Sequence, residues 1–319
     1  MTESKISPLV SIGMPVYNGG KTIRQALDSL LAQDFENFEL IISDNASTDS
    51  TGNICQQYAA CDPRVRYYRN ETNIGELANF NRLVYLARGK YFMWAADDDL
   101  WEPSYVSHMV NALDNNLDVV LSFCSFDTLC AIRKKIFIFQ DNWSKIIRGS
   151  RFYRLFHSSY LLPWGTYRSC YIYGLIRKDI LLKCGGMEPR VDIHAGADIL
   201  TLLHLLYYGK FIKVNKLLYH RRYNSERLLL KEPFAQRLAR QSLFSLVVSY
   251  LKWLSMWHQH YKIRRVIVKE TPLQMPHKII LLISLCIAEL FFYFDNLLRT
   301  TMYTIRDYQR YIGQPNHMN

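Results

Sequence analysis

The first hundred residues alternate between short unbroken apolar runs and segments whose apolar positions recur at helical spacing. Val10–Met14 reads as a buried strand stopped by Pro15, and Phe38–Ser43 as a second one. Between them, Lys21–Gln33 sets Ile23, Ala26, Leu27, Leu30 and Leu31 on one helical face. Asp49–Ala60 predicts another helix, preceded by the cap-like Ser47 and Thr48. Val65–Arg69 is a short strand, Asn73 to Gly75 a turn, Glu76–Ala87 a helix and Lys90–Ala95 a fourth strand. Apolar strands alternating with helices predict an α/β fold, a mostly parallel sheet flanked by helices. In such a sheet, ligands bind in the loops beyond the carboxyl ends of the strands.

Farther along, Tyr105–Leu113 reads as a helix, Val119–Phe123 as a strand, Ala197–Tyr208 as a helix and Phe211–Leu218 as a final strand. Residues 130–170 are basic and aromatic and give no clear pattern. After Asn224 the character changes: Phe234–Trp257 and Lys278–Arg299 read as long apolar helices with basic flanks. A boundary near 225 therefore separates an α/β domain, residues 1–225, from a helical extension, residues 226–319.

Charge sharpens that division. Residues 1–203 hold 21 Lys and Arg against 22 Asp and Glu, whereas residues 204–319 hold 18 against 6. The basic block suits an anionic partner, phospholipid or nucleic acid, or else forms a solvated face. It carries no recognisable nucleic-acid motif, so no nucleic acid is expected. On a helical wheel, Lys278, Glu289 and Asn296 share one side of the last helix and leave a broad apolar arc opposite. Ile279–Phe294, interrupted by Glu289, is shorter than the ~20 residues of a spanning helix. Such a helix can lie in a membrane interface or pack on the first domain as additional core. No apolar run precedes the first strand, so no secretory leader is expected. Seven cysteines without a CxxC pair point to reduced, mostly buried thiols. An apolar share of 49% rules out wholesale disorder, and the absence of repeats rules out solenoids.

The chemistry concentrates in three loops. After the fourth strand come Asp97, Asp98 and Asp99, adjacent carboxylates that repel one another unless a cation or strong donors answer them. Oxygen ligands without a nearby histidine favour Mg²⁺ or Mn²⁺, typically completed by substrate phosphates. The second strand ends at Ser43 and Asp44, a polar edge that can bond a base or ribose or cap a helix. The first ends in Pro15, Val16, Tyr17, Asn18, Gly19 and Gly20, which lacks both GxGxxG and GxxxxGK[ST].

Taken together these loops resemble the family 2 glycosyltransferases, which have the GT-A fold, a Rossmann-like, mostly parallel sheet. The resemblance rests on five stretches in register: residues 10–18, 40–49, 73–75, 89–94 and 97–101. It implies a nucleotide-diphosphate sugar donor, UDP-sugar favoured, a divalent metal and inversion at the anomeric carbon. It divides the first domain into a donor half, about 1–105, and an acceptor half, about 106–225. Pro15 and Tyr17 would line the base pocket, with Asn18, Asn73 and Gly75 in the nucleotide-sugar loops. Asp44 would bond the base, Asp97 the ribose, and Asp98 would ligate the metal. Asp99 would support the loop. Two positions depart from the family pattern: Ala96 replaces a frequent Asp, and Phe80-Asn81 replaces a frequent Arg-Asn.

The resemblance also assigns Asp198 as the general base, with Ala197 replacing the customary Glu; an N-cap or dipole partner is the structural alternative. Arg221, near the end of the last strand, could approach the diphosphate or simply begin the basic block. The acceptor implied is a glycan or polyprenyl-linked hydroxyl in cell-surface glycan synthesis. The protein would then sit peripherally on the cytoplasmic side of an anionic membrane, or in the cytoplasm. A sugar nucleotidyltransferase would want a Gly-rich, Arg- or Lys-bearing loop after the first strand, and here only Lys21 lies just beyond it. A non-catalytic sugar-nucleotide or anionic-surface binder is the other alternative, disfavoured by the presence of both Asp98 and Asp198.

Overall fold

A computed structural model describes residues 7–130, 136–138, 150, 152, 154, 168–187, 197–223, 265, 268, 269 and 274–287. The chain divides into two compact units, one of Met1–Ser158 and Leu162–Ser225, the other of Ser159–Leu161 and Glu226–Asn319. In the first unit β1 (Val10–Val16), α1 (Ile23–Leu31), β2 (Phe38–Asp44), α2 (Thr51–Cys61), β3 (Val65–Arg69), α3 (Glu76–Leu86) and β4 (Tyr91–Trp94) follow in strict alternation. Then come β5 (Leu100–Trp101), α4 (Tyr105–Asp114), β6 (Val119–Cys130), β7 (Ile136–Ile138), a 3₁₀ turn (Arg168–Tyr173), β8 (Leu175–Arg177), α5 (Lys178–Lys183), α6 (Ala197–Tyr208) and β9 (Lys210–Tyr223).

All the strands join one sheet of order β3-β2-β1-β4-β8-β6-β9-β5, with β7 added on β6. The first four are parallel, as are β6 and β9; β8 and β5 run antiparallel to their neighbours. The sheet is thus mixed but mostly parallel, as the alternation of elements predicts. Its centre is buried: Ile12, Met14, Tyr91, Phe92 and Trp94 are inaccessible to solvent, and on the face of Gly13 and Phe92 the sheet is covered by Leu83 of α3.

Pro15 does not end β1. The strand runs on to Val16, because Pro15 still pairs in register with Ser43 of β2. Gly13 offers its carbonyl to Ala95 on the β4 side, and the β1–β4 ladder stops at that residue. Pro15, two residues on, faces the same side beyond the ladder, so its missing N–H leaves no partner unbonded. The short β5 and β8 have no sequence signature, and β6 and β9 are longer than their apolar runs suggest. Polar residues at their far ends pair with each other, from Asp127 opposite His220 to Cys130 opposite Tyr223. The helix expected over Phe234–Trp257 lies outside the described residues; of the last expected helix, residues 275–287 are described and helical.

Opposite the carboxyl ends, a buried polar knot fixes the start of the sheet. Ser11 on β1 donates to Glu39 Oε1 at 2.6 Å and accepts the Gly89 N–H at 2.8 Å. Glu39 also receives the Arg88 N–H at 2.7 Å and Arg66 Nη1 at 2.5 Å. Gly89 has no room for a side chain: a Cβ there would lie 2.7 Å from Ser11 N and 2.8 Å from Val10 C, both main-chain atoms that cannot move aside. Gly89→Ala is expected to destabilise the fold by about 1–3 kcal/mol, read as a lower urea midpoint with an unchanged m-value.

Candidate active site

The carboxyl ends of β1, β2 and β4 lie side by side. β2 and β3 extend the sheet on one side of β1, and β4 extends it on the other. Such a reversal of strand order opens a crevice between the diverging loops.

The loop after β1 is stapled to the loop after β2. Asn18, in the left-handed region at φ 56°, donates its N–H to Ser47 Oγ at 2.9 Å and accepts the Thr48 N–H on its Oδ1 at 2.8 Å. The Gly20 N–H donates to Asp49 Oδ2 at 3.0 Å. Pro15 is partly buried, whereas Tyr17 is 52% exposed. Gly19 marks the crossing of the two sides: a Cβ on it would sit 1.9 Å from Asp97 Oδ2, so the Asp97 carboxylate lies directly against the backbone of the first loop.

Asp44 is wholly buried at the end of β2. Its Oδ2 accepts from Tyr67 Oη at 2.7 Å and Arg69 Nη1 at 2.8 Å, and its Oδ1 from the Ser47 N–H at 2.8 Å. With three donors in place, little acceptor capacity remains. The half-exposed Arg69, which also donates to the Ser47 carbonyl at 2.7 Å, carries the pair towards solvent. A chain of amides supports the neighbouring turn. Asn45 donates to Asn73 Oδ1 at 2.8 Å and accepts from the Ile74 N–H and from Asn70 at 2.9 Å each. Asn73 Oδ1 takes the Gly75 N–H at 2.9 Å, and Gly75, at φ +87°, turns the chain into α3.

Beyond β4 the three acids have different surroundings. Burial and the Asp98 charge push the Asp97 carboxyl up to about 7, and Asp49 adds to the repulsion. Burial and Asp98 likewise lift Asp99 to about 7. Yet Asp99 is anchored: Tyr219 Oη donates to its Oδ2, and the Arg222 N–H donates to its Oδ1 at 2.8 Å. Asp98, partly buried, stands between two carboxyls that resist ionisation together. The donors here are carboxylate oxygens, which suit Mg²⁺ or Mn²⁺. Among the described residues no three His, Cys, Asp or Glu side chains converge to hold a metal alone. A cation at Asp98 would therefore be completed by ligand oxygens, the usual state of magnesium at phosphate sites.

The 3₁₀ turn joins this loop to the far half of the crevice. Arg221 Nη1 lies 3.6 Å from Cys170 Sγ. Burial pushes the Cys170 thiol up to about 11; Arg221 opposes the shift, while Asp99 and Asp198 add to it. Burial also raises the Tyr173 hydroxyl, with Asp99 and Asp198 again contributing. Asp198, in the first turn of α6, thus shares one electrostatic neighbourhood with Asp99 and Arg221 although the three lie on different elements. On α3, Asn81 accepts the Met187 N–H at 2.6 Å and donates to the Met187 carbonyl at 3.0 Å.

The family model described as glycosyl transferase family 2 matches residues 11–176, more than half of the 319. The chain belongs to glycosyl transferase family 2. An uncharacterized glycosyltransferase of Rickettsia typhi is 35% identical over 131 residues, 40% of this chain and 40% of that protein. The putative colanic acid biosynthesis glycosyl transferase WcaA of Escherichia coli is 40% identical over 105 residues, 32% of this chain and 37% of that protein. The matched stretch thus spans about two fifths of the length of these curated relatives. Residues 1–349 of Staphylococcus aureus TarS, solved in complex with UDP-GlcNAc, superpose with a TM-score of 0.63 at 18% identity, covering 89% of this chain and 73% of that one. That likeness shows the GT-A fold.

Two contacts around these loops escape the sequence pattern. Arg69 ends β3 directly opposite Asp44 in the parallel ladder, so opposite charges at matching strand ends were the available signal. Asn81 keeps the Asn of the family's Arg-Asn pair, in which Phe80 replaces the Arg, but its partner lies 106 residues away. Arg82, beside it, points elsewhere, over the Tyr68 ring at 6.0 Å.

The raised acids give a pH test. An unfolded Asp97 releases its proton near 3.8, whereas the folded one holds it to about 7. Over that interval the native state binds more protons, so the metal-free fold loses stability as pH rises. Asp97→Asn should flatten this slope, read as a smaller fall in Tm between about pH 5 and about pH 8 in EDTA.

Proposed function

We propose that this chain is an inverting glycosyltransferase that moves a sugar from a nucleotide-diphosphate donor, preferentially a UDP-sugar, to an acceptor hydroxyl. The observation that supports the reading most directly is the shared neighbourhood of Asp99, Arg221 and Asp198 around Cys170 and Tyr173. Both Asp99 and Asp198 act on Cys170 and Tyr173, which is consistent with a base near the acidic loop.

In this reading Tyr17 and Pro15 flank the base, and the Asp44–Arg69 pair meets its edge. Asp97 faces the ribose, with Asn18, Asn73 and Gly75 shaping the loops around the donor. Arg221 offers positive charge to the diphosphate. A divalent cation held by Asp98 supplies neutralisation of the charge that develops on the leaving nucleoside diphosphate. Asp198 accepts the acceptor's proton as that oxygen bonds the anomeric carbon, and the C1–O bond to phosphate breaks on the opposite face. The N-terminal turn of α6 favours the ionised carboxylate that a base requires.

The acceptor proposed is a lipid-linked or polysaccharide hydroxyl in surface-glycan synthesis. WcaA's description as a colanic acid biosynthesis enzyme supports that class. The second unit supports peripheral attachment to an anionic membrane. Over residues 275–287, Leu281, Ser284 and Leu285 are buried while Met275, Ile279, Ile280, Ile283 and Ile287 are exposed. Among the described residues no helix is long and apolar enough to cross a membrane. An apolar stripe within a basic third of the chain fits the headgroup boundary of anionic lipid.

Asp198→Asn should lower kcat by roughly 10²–10⁴-fold while leaving UDP affinity intact, and Asp98→Ala should abolish the Mn²⁺-dependent part of UDP binding. Near-normal turnover by Asp198→Asn would remove it as the base. A panel of UDP-, GDP-, dTDP- and CMP-sugars, followed by nucleotide release with and without Mn²⁺, reads the donor; release of pyrophosphate instead would point to a nucleotidyltransferase. Full-length protein should float with phosphatidylglycerol vesicles, and replacing Ile279 and Ile283 together by Asn should weaken partitioning roughly tenfold or more.

A further inference from the structure

His220 belongs to none of the roles above, yet it occupies the junction of three strands. On β9 it pairs with Leu100 of β5 on one side and with Asp127 of β6 on the other. Its Nδ1 lies 2.9 Å from Asp127 Oδ1, and its Nε2 lies 2.9 Å from Glu102 Oε1. The Asp127 side chain is 4% exposed, and that of Glu102 is 47% exposed. Both ring nitrogens thus face carboxylate oxygens, an arrangement that only the doubly protonated imidazolium satisfies. Burial favours the neutral ring, but the hydrogen bonds to Glu102 and Asp127 outweigh it and raise the His220 pKa above 6.5.

The clamp is tied to the acidic loop through its neighbours. Tyr219 and Arg222, on either side of the clamp, are the two donors that anchor Asp99. Glu102 follows β5, the two-residue strand just after Asp97–Asp99, and donates its own N–H to the Leu218 carbonyl at 3.0 Å. The segment carrying the three acids is therefore held on β9 by main-chain bonds, by Asp99, and by the His220 clamp.

We propose that His220 is a positioning residue whose bridge between Asp127 and Glu102 holds β5 against β9 and so sets the acidic loop for its cation and donor. This rests on the donor site proposed above. Loss of the proton leaves one N–H for two carboxylates. The buried Asp127 has no access to solvent, so the remaining N–H stays with it. A lone pair then faces Glu102, which swings out to water, and the β5 end of the clamp opens. Other charged groups nearby are committed elsewhere: Arg221 to Cys170 and Arg222 to Gln25 of α1. On α4, which also packs on β9, His108 bonds the Ser104 carbonyl at 2.6 Å, and Asp114 holds Lys90 and Tyr91.

A histidine with a raised folded pKa adds stability that is complete below its unfolded value and lost as pH rises through the folded one. The test uses full-length wild type, His220→Gln and the milder Glu102→Gln, whose changed group is half in solvent. Tm in EDTA and Mn²⁺·UDP affinity by calorimetry are followed from about pH 5 to about pH 9. Wild type should lose Tm across the histidine titration and bind Mn²⁺·UDP roughly tenfold more weakly on its alkaline side. His220→Gln should lack the affinity step and show a smaller Tm fall, keeping only the part that Asp97 and Asp99 contribute, and Glu102→Gln should shift the histidine part of both to lower pH. Parallel Tm profiles for wild type and His220→Gln would overturn the clamp. A Tm step without an accompanying affinity step would overturn its link to the donor site. Absence of Mn²⁺·UDP binding at every pH would instead defeat the donor reading, and with it that link, while the EDTA profile still decides the clamp.

Discussion

Three consecutive carboxylates at the end of β4 cannot all ionise at neutral pH without help, and much of the surrounding structure answers that constraint. Asp99 is given two donors from β9. Asp97 is pressed against the bare backbone of Gly19, where burial and neighbouring charge keep its proton on to about 7. Asp98 stands between them, and in the proposed reading it is the acid that would ligate the cation. In the same reading a divalent ion would relieve the repulsion among the three, and a diphosphate, itself an anion, would approach the acids only with the ion in place.

The same loops are shaped by neutral hydrogen bonds that hold without any ligand. The amides of Asn45, Asn70, Asn73 and Asn79 run from the end of β2 to the start of α3. The Ser47 hydroxyl and Asn18 join the first two loops. These bonds hold the first two loops and the start of α3 together without drawing on the acids after β4.

The parallel half of the sheet was legible because each of its strands is an unbroken apolar run and each connection a helix with clear periodicity. Pro15 misled because a proline at a strand's unpaired edge looks in sequence like one that ends it. β5 and β8 are two and three residues long, too short for any period to show. The far ends of β6 and β9 carry polar residues such as Asp127 and Thr128 that are nonetheless buried, with Asp127 answered by His220, so no apolar run marks them. The loops carrying Asp44, Asp97 and Asp98 were legible because they follow buried strands. The contacts of Arg69, Asn81 and His220 were not, since each depends on a partner from a distant part of the chain that only the folded sheet brings near.

Asn81 binds both the N–H and the carbonyl of Met187, and Gly186, at φ +83°, favours glycine, with a Cβ there also falling 2.3 Å from Asn81 Oδ1. A helix of the first half of the domain thereby grips the turn that leads towards α6 in the second half. The two halves are consequently not interchangeable modules. Grafting a relative's first hundred residues onto this chain would break the latch unless the amide and its glycine travelled together, so they are best treated as one inherited unit in any domain swap.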